Sequence, residues 1–396
     1  MSGARWPFLV LIALMIAVPV QSGDRWTLDD ILLTERAGSW TPSPDGASAA
    51  WIRSTVATIE DAERRVGHLW LSELDADGES VQLTRTGSVS QPRFSPDGAR
   101  LAFLSDRDAP PGTEEIDDKA KPQVWILPLG GGEAYPVTRL DRGVRSFAWT
   151  GDESLVVLAQ ESPTARETLV KKTRKDTSRV VDDEENEPPV RLFRVDLDGG
   201  SKRLTGNDDW IDSLAVSPDG KHAVVSAEQS LRYQFDQKIP PQTRLVDLGS
   251  GEETLLFADI ERMVPFAVRW APDSSGFYFL DNYTTHPVYD NATINELYWF
   301  ELGSDDPQKV DLDWEWGASY GYAALPDGVM VLLADGVRYR PARYTRTGRS
   351  WKKTEMDGEH VRNIDSWLST DDGNRVLYRT SAGNRPPQWF VADLDG

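Results

Sequence analysis

The feature that most constrains the fold is a short string that recurs along the chain. Ser-Pro-Asp-Gly occurs at 43–46, 95–98 and 217–220. Looser copies occur at 150–153, 271–274, 325–328 and 370–373, and all seven share an aspartate, at Asp45, Asp97, Asp152, Asp219, Asp273, Asp327 and Asp372. Self-similarity at intervals of 45 to 67 residues predicts a solenoid, a propeller or an array.

The repeated string has the chemistry of a hairpin turn. Proline presets φ at the second residue of a turn, aspartate suits the third, and glycine accepts a positive φ. The residues four and six positions after each aspartate are apolar. This alternation, with a period of two, predicts a half-buried strand. These pairs are Ala49/Trp51, Leu101/Phe103, Val156/Leu158, Ala223/Val225, Phe277/Phe279, Val331/Leu333 and Val376/Tyr378.

A second hairpin follows in most repeats, as at 69–84 and 124–138, so that each unit holds four short strands. A single sheet of this kind cannot bury both of its faces, whereas radial stacking around an axis can. We therefore predict an all-β fold, a seven-bladed β-propeller of four-stranded blades. An open β-solenoid is the alternative, although its repeats are usually far shorter.

Composition excludes several classes of function. The chain has 396 residues, 43 Lys and Arg against 64 Asp and Glu, and a net charge of −21, which argues against binding to nucleic acid or to anionic lipid. It has no cysteine, and its four histidines, at 68, 222, 286 and 360, are far apart in sequence. Neither a Cys nucleophile nor a His-based metal motif is therefore present.

The remaining candidates for chemistry favour structural roles. A G-x-S-x-G string occurs at 317–321, but it leads into the strand before a repeated turn and not from a strand into a helix, so it lacks the context of a nucleophile elbow. The sequence contains no phosphate-binding or dinucleotide-binding glycine motif. The seven repeated aspartates are interpreted as turn residues, the strand tryptophans as blade packing, and His222 and His286 as loop residues. Three acidic groups would bind calcium weakly or form solvated surface, and we favour the surface: Asp208/Asp209, Asp305/Asp306 and Asp311/Asp313. We predict no catalytic, cofactor-binding or metal-binding residue and no cofactor.

Two polar segments interrupt the period. Residues 106–121 are interpreted as a loop within the second blade. Residues 164–189 carry a basic run and then an acidic run, and they form an insert. It is interpreted as a solvated loop or a short exposed helix, and the alternative is an arm that contacts a partner domain or lines a substrate entry.

Residues 1–22 have the plan of a secretory signal peptide, with Arg5 before an apolar run at 8–20 and charged Asp24 and Arg25 after it. The apolar run is short for a membrane span. We expect cleavage near Gly23, a mature chain of 23–396, secreted or periplasmic localisation, and no membrane attachment after cleavage. A retained N-terminal anchor is the alternative.

Several strings resemble the propeller of prolyl oligopeptidase family serine peptidases, especially the bacterial dipeptidyl aminopeptidase/acylaminoacyl-peptidase branch. They are found at 26–32, ahead of the first turn, at 91–98, at 189–193, and at 203–205 through 209–211. The resemblance extends over about 26–396. Ser-Pro-Asp-Gly blades also occur in TolB-like propellers, so a non-enzymatic periplasmic binding scaffold is the alternative function.

The resemblance implies a propeller that caps a C-terminal α/β-hydrolase domain with a Ser-Asp-His triad and admits only short peptides. That domain would be this chain's partner, and short peptides its substrates. The sequence ends just after Trp389, at a point where earlier repeats continue with a closing strand. We expect a truncated last blade and no hydrolase domain in this chain, so no catalytic residue is carried over. Some family members bind the substrate amino terminus with a Glu pair, and the surroundings of Glu184-Glu185 do not match that motif.

Overall fold

The computed structural model describes residues 27–59, 62–75, 78–107, 121–173, 184–198, 200–260, 263–284, 286, 293–370, 372–383 and 385–394. The expected signal peptide lies outside these residues. Within them the chain is built mainly from strands, which form seven antiparallel blades.

Among the described residues, the first six blades have four strands each and the seventh has three. Blade 1 contains β1 (Arg36–Pro42), β2 (Ser48–Ile59), β3 (Ala62–Glu73) and β4 (Ser80–Gln82), and blade 2 contains β5 (Val89–Phe94), β6 (Arg100–Ser105), β7 (Gln123–Pro128) and β8 (Tyr135–Pro136). Blade 3 contains β9 (Ser146–Gly151), β10 (Ser154–Gln160), β11 (Val190–Asp196) and β12 (Ser201–Arg203), and blade 4 contains β13 (Trp210–Val216), β14 (His222–Glu228), β15 (Gln242–Asp247) and β16 (Glu253–Leu255). Blade 5 contains β17 (Phe266–Trp270), β18 (Gly276–Tyr283), β19 (Ile294–Glu301) and β20 (Gln308–Lys309), and blade 6 contains β21 (Ala318–Leu325), β22 (Gly328–Asp335), β23 (Arg338–Thr347) and β24 (Ser350–Glu355). Blade 7 contains β25 (Ile364–Ser369), β26 (Arg375–Ala382) and β27 (Arg385–Asp393).

Helical structure in the described residues is short: α1 (Leu28–Leu32), α2 (Ala165–Thr173), α3 (Tyr233–Asp236) and one 3-10 turn at Val361–Asn363. The start of the segment expected to open the propeller is therefore helical. Thr27 and Asp30 form a reciprocal capping box at the N-terminus of α1, which satisfies backbone N–H groups that a short helix leaves free. None of the described helices combines the length and apolar character needed to cross a bilayer.

The first strands of the blades form a closed ring. Each contacts the first strand of the next blade, from β1 through β5, β9, β13, β17 and β21 to β25, and β25 contacts β1. These strands therefore surround the axis, and the short fourth strands lie at the rim. The prediction of an all-β propeller is confirmed, and the described strands are consistent with seven blades. Blades 3 and 4 are additionally joined by one parallel pair, Val190 with Trp210.

The repeated string builds the hairpin between the first and second strands of each blade. In blade 1 the Ser43 hydroxyl donates to Asp45 Oδ1 at 2.5 Å, and the Ala47 N–H donates to the same oxygen at 3.0 Å. Gly46 closes the turn at φ 66°, a conformation that glycine adopts without steric cost. The same bonds recur around Asp97, Asp219 and Asp372. These turns lie on one side of the propeller, which we call the turn face.

The second strands are buried on both sides, not half-buried as their period-two pattern predicts. In β6, β10 and β22 almost every residue is inaccessible to water. The reason is radial stacking, because a strand in the middle of a blade has a neighbouring blade against each of its faces. The residues between the apolar pairs, such as Ala102 and Val157, are therefore also core residues.

Aromatic residues of the first strands connect successive blades. The indole N–H of Trp149 donates to the Arg93 carbonyl of the previous blade at 3.2 Å. Trp270 makes the same kind of bond to Ala215 at 2.9 Å, and Trp367 bonds Gly321 at 3.2 Å. Each bond satisfies a carbonyl that faces the neighbouring blade, so these side chains fix the angle between blades as well as filling space.

Side chains close the ring between blades 7 and 1. Among the described residues, β27 pairs only with β26. The Arg375 guanidinium donates to Asp75 Oδ1 at 3.2 Å and to the Gly46 carbonyl at 3.3 Å. Trp389 of β27 lies 5.5 Å from Trp40 of β1, centroid to centroid. No described strand from one end of the chain completes the blade formed by the other end.

Candidate functional site in the central channel

The side of the propeller opposite the turn face carries the connections between second and third strands, and we call it the loop face. In blades 1, 6 and 7 these connections are tight, as between β22 and β23. In blades 2, 3, 4 and 5 they are long. Long loops on a rigid scaffold are the usual carriers of function in a β-fold. The loop face is therefore the better candidate for recognition.

Three charged residues of blades 3 and 4 lie at the loop-face ends of strands near the axis. We call the space that the ring of first strands surrounds the channel. Arg145 immediately precedes β9, Asp212 lies near the start of β13, and Glu228 ends β14. Burial raises the pKa of the Asp212 carboxyl, which the Arg145 charge opposes. Burial also raises the pKa of Glu228, and the nearby Asp212 raises it further. The carboxyls around Arg145 therefore hold a proton more readily than free ones, a property often found at functional sites.

The insert of blade 3 is anchored beside these residues. Glu184 Oε1 accepts hydrogen bonds from the Ser230 hydroxyl at 2.7 Å and from the Leu231 N–H at 2.9 Å. Gln160 donates to Glu187 at 2.7 Å, which connects the insert to the end of β10. The described parts of the insert therefore span blades 3 and 4, and α2 provides the predicted short exposed helix. Glu184 already has two donors, so this member of the Glu pair is part of the anchor.

Two arginines occupy equivalent places on opposite blades of the ring. Arg93 in β5 and Arg269 in β17 each lie four residues before a turn aspartate. Each is also the first paired residue after a bulge, at which Gln91 and Ala267 have φ of 52°. Bulges commonly re-aim a side chain beside a functional site. Burial lowers the pKa of Arg93, and the positive charge of Arg269 lowers it further. Both side chains start from first strands of the closed ring, on blades that lie on opposite sides of the axis.

The residues that the sequence singled out lie elsewhere. His222 borders a turn-face cavity of about 440 Å³ between blades 3 and 4. A second turn-face cavity, of about 590 Å³, lies between blades 7 and 1 and contains Asp45 and Asp372. His286, at the loop face, is exposed. Among the described residues no three His, Asp or Glu side chains are placed to hold a metal ion.

One acidic group differs from its interpretation as solvated surface. Asp208 is 97% exposed, but Asp209 is only 14% exposed and pairs with Arg244. Asn207 and Gln229 also donate to the Asp209 carboxylate, at 2.9 Å and 2.7 Å. The interpretation is wrong for Asp209, because a turn directs neighbouring side chains to opposite sides. Of the other acids, Asp305, Asp306 and Asp311 are exposed, and so is Asp313.

Sequence reasoning missed the channel residues. The available signal was the position four residues before each turn aspartate, where the other five repeats carry Thr41, Ala148, Ala215, Ala323 and Leu368. An arginine in only two of seven copies is a departure from the repeat. The second signal, that blades 2 and 5 face one another across the axis, exists only once the ring has closed.

About half of the chain is similar in sequence to a known protein, and nearly all of it is similar in structure to solved proteins. No protein-family model matches. An uncharacterized peptidase, YuxL, of Bacillus subtilis (strain 168) is 30% identical over 218 residues, which is 51% of this chain and 31% of that protein. The chain thus aligns with about a third of the relative's length.

Solved structures share the fold. An acylaminoacyl peptidase of Pyrococcus horikoshii matches with a TM-score of 0.61 and 15% identity, over 91% of this chain and 51% of that one. The β-propeller domain of the Trilobed protease of Pyrococcus furiosus, described as having an open velcro topology, matches with a TM-score of 0.58 and 13% identity, over 90% and 92%. The resemblance to the propellers of the prolyl oligopeptidase and acylaminoacyl peptidase family is confirmed.

Proposed function

We propose that this chain is the substrate-gating propeller of a secreted or periplasmic serine peptidase of the prolyl oligopeptidase family. It would work with an α/β-hydrolase domain that carries the nucleophile, and that peptidase would hydrolyse short peptides by acyl transfer to a serine. The observation that carries the proposal is the 30% identity with a peptidase over 218 residues. The fold alone is shared by proteins with different activities.

The architecture suits a gate. A closed ring of first strands surrounds one axial passage, and charged side chains of blades 3 and 4 line its opening. In the proposed gate an unfolded short peptide would pass along this axis, and a folded protein would be excluded. The long connections and the insert on the loop face offer a surface on which a hydrolase domain could rest.

The first experiment is to determine the DNA sequence downstream of codon 396. An open reading frame long enough for an α/β-hydrolase domain, with G-x-S-x-G at a strand-to-helix turn, supports the peptidase. A stop codon directly after codon 396 would contradict it and favour the periplasmic scaffold.

The second experiment is enzymatic. The product of the longer frame should hydrolyse chromogenic short peptides and leave a folded protein such as native serum albumin intact. The matched control is the same protein with its motif serine replaced by alanine. Hydrolysis that survives this replacement, or equal cleavage of peptide and folded protein, would refute the proposed mechanism.

A further inference from the structure

We propose that Arg93 and Arg269 form a carboxylate-binding site inside the central channel, which takes acidic side chains or the free C-terminus of a peptide. The inference rests on the proposed function for its peptide ligand. It adds to that function the chemical class of peptide that the channel binds. It stands on the placement of the two side chains, on their exposure and on their lack of an anionic partner among the described residues.

The placement is specific to two blades. Both arginines lie on first strands, the strands that form the ring, and both directly follow a bulge. Blade 1 has the same kind of bulge, at Ser39 with φ 51°, but carries Thr41 at the equivalent position. Blade 1 therefore shares the bulge with blades 2 and 5. At the residue that follows the bulge, only blades 2 and 5 carry an arginine.

The two side chains reach water although they start from the ring. Arg93 and Arg269 are exposed, whereas the next residues, Phe94 and Trp270, are 9% and 8% exposed. Because both residues lie on the strands that surround the axis, we infer that the water they meet is that of the channel. Burial of the Arg93 guanidinium lowers its pKa, which agrees with a position between blades. The same guanidinium lies 5.8 Å from the centre of the Phe147 ring. A guanidinium supported on an aromatic face keeps its N–H edge free to bind.

Neither arginine has a carboxylate partner among the residues that the structure describes. Arg269 Nη1 donates to the carbonyl of its own neighbour, Val268, at 3.0 Å. The charged group that acts on Arg93 is Arg269 itself. By contrast, the nearly buried arginines Arg191 and Arg244 are paired, with Glu161 at 2.7 Å and with Asp209. The two positive charges lie on strands that surround one axis, in a chain whose net charge is −21. An anion between them would reduce their mutual repulsion.

A carboxylate fits this arrangement better than a point anion. Each guanidinium presents a planar fork of N–H donors that matches the two oxygens of a carboxylate. A carboxylate between the two forks would accept from both and would cancel their repulsion. Peptides with acidic residues or a free C-terminus carry this group, and neutral amidated peptides do not.

The test is direct binding to this chain, read by fluorescence anisotropy of a labelled tetraglutamate peptide at low salt. The neutral comparison is tetraglutamine with an amidated C-terminus. We expect the acidic peptide to bind and the neutral one not to. Arg93→Gln and Arg269→Gln should each raise Kd at least about tenfold, and added salt should weaken binding.

Two further variants keep the result interpretable. Arg93→Lys retains the charge but loses the fork, so its Kd should lie between those of the wild type and Arg93→Gln. Arg194→Gln removes an exposed arginine of β11, a third strand away from the ring, and should leave Kd unchanged. Circular dichroism and melting temperature verify that each variant is folded.

The proposal is overturned if the acidic peptide does not bind, if the neutral peptide binds equally well, or if folded Arg93→Gln and Arg269→Gln keep the wild-type Kd. Because this assay reads binding to this chain without any catalytic step, its failure is distinct from failure of the peptidase assignment, which is read as hydrolysis by the longer protein.

Discussion

Asp209→Asn should destabilise the propeller far more than Asp208→Asn, although the two residues are adjacent. The Asp209 carboxylate pairs with Arg244, at the start of the third strand of blade 4, and both side chains are almost buried, 14% and 13% exposed. The Asn207 and Gln229 amides also donate to it. Asparagine keeps the shape of the side chain but removes the charge that faces the guanidinium.

The size of the effect follows from what remains after the change. Removing one partner of a buried ion pair costs about 3–5 kcal/mol. Here Glu253 stays 3.0 Å from Arg244 Nη1, so the guanidinium keeps one carboxylate, and we expect a loss of about 2–3 kcal/mol in the free energy of unfolding. The Asp208 side chain is 97% exposed and pairs with Arg191, which keeps Glu161 at 2.7 Å after the change, so Asp208→Asn should cost less than about 1 kcal/mol.

The measurement is urea denaturation followed by tryptophan fluorescence. Burial alone would raise the pKa of Asp209, but hydrogen bonds from Arg244, Gln229 and Asn207 outweigh it and hold the pKa below its usual range. A lowered folded-state pKa gives stability that is present above the unfolded value, about 3.9, and lost as pH falls through the folded value. The difference in the free energy of unfolding between the wild type and Asp209→Asn should therefore be largest at pH 7 and should decrease below about pH 4. An Asp209→Asn variant as stable as Asp208→Asn at pH 7 would contradict this account of the pair.

Three further outcomes are expected. Tyr322→Phe should cost about 1–3 kcal/mol in unfolding free energy, since its buried hydroxyl shares its one proton between the carbonyls of Ala267 and Tyr278. Tyr320→Phe, at a residue 67% exposed, should be neutral in the same urea denaturation. Residues 23–396 alone should not cleave chromogenic aminoacyl or dipeptidyl substrates, and turnover that a serine-directed phosphonate blocks would contradict this. Among the described residues the outer edge of β27 has no partner strand, so we expect the chain to self-associate through it. Val391→Lys, at a residue 39% exposed, should then reduce the mass seen by light scattering, and a monomer in both proteins would contradict this.

The repeat could be predicted from the sequence because its causes are local. The Ser43 hydroxyl, the Asp45 carboxylate and the positive φ of Gly46 act within four residues, so the turn has the same chemistry in every full copy. The apolar pairs after each turn located the second strands and gave the number of blades. Their burial on both faces was not readable from a period of two, because it depends on the neighbouring blades.

The candidate site depended on closure of the ring. Arg93 and Arg269 are 176 positions apart by residue number, and Arg375 meets Asp75 across 300 residues. Asp208 and Asp209 are the same residue type in opposite environments. Turns, strands and their repetition are written in the order of the residues, since hydrogen bonds and side-chain alternation act over a few positions. Which charges face the axis, which are paired and which remain without a counter-ion follows from the assembled ring, because packing seven blades around one axis brings distant residues into a shared low-dielectric space.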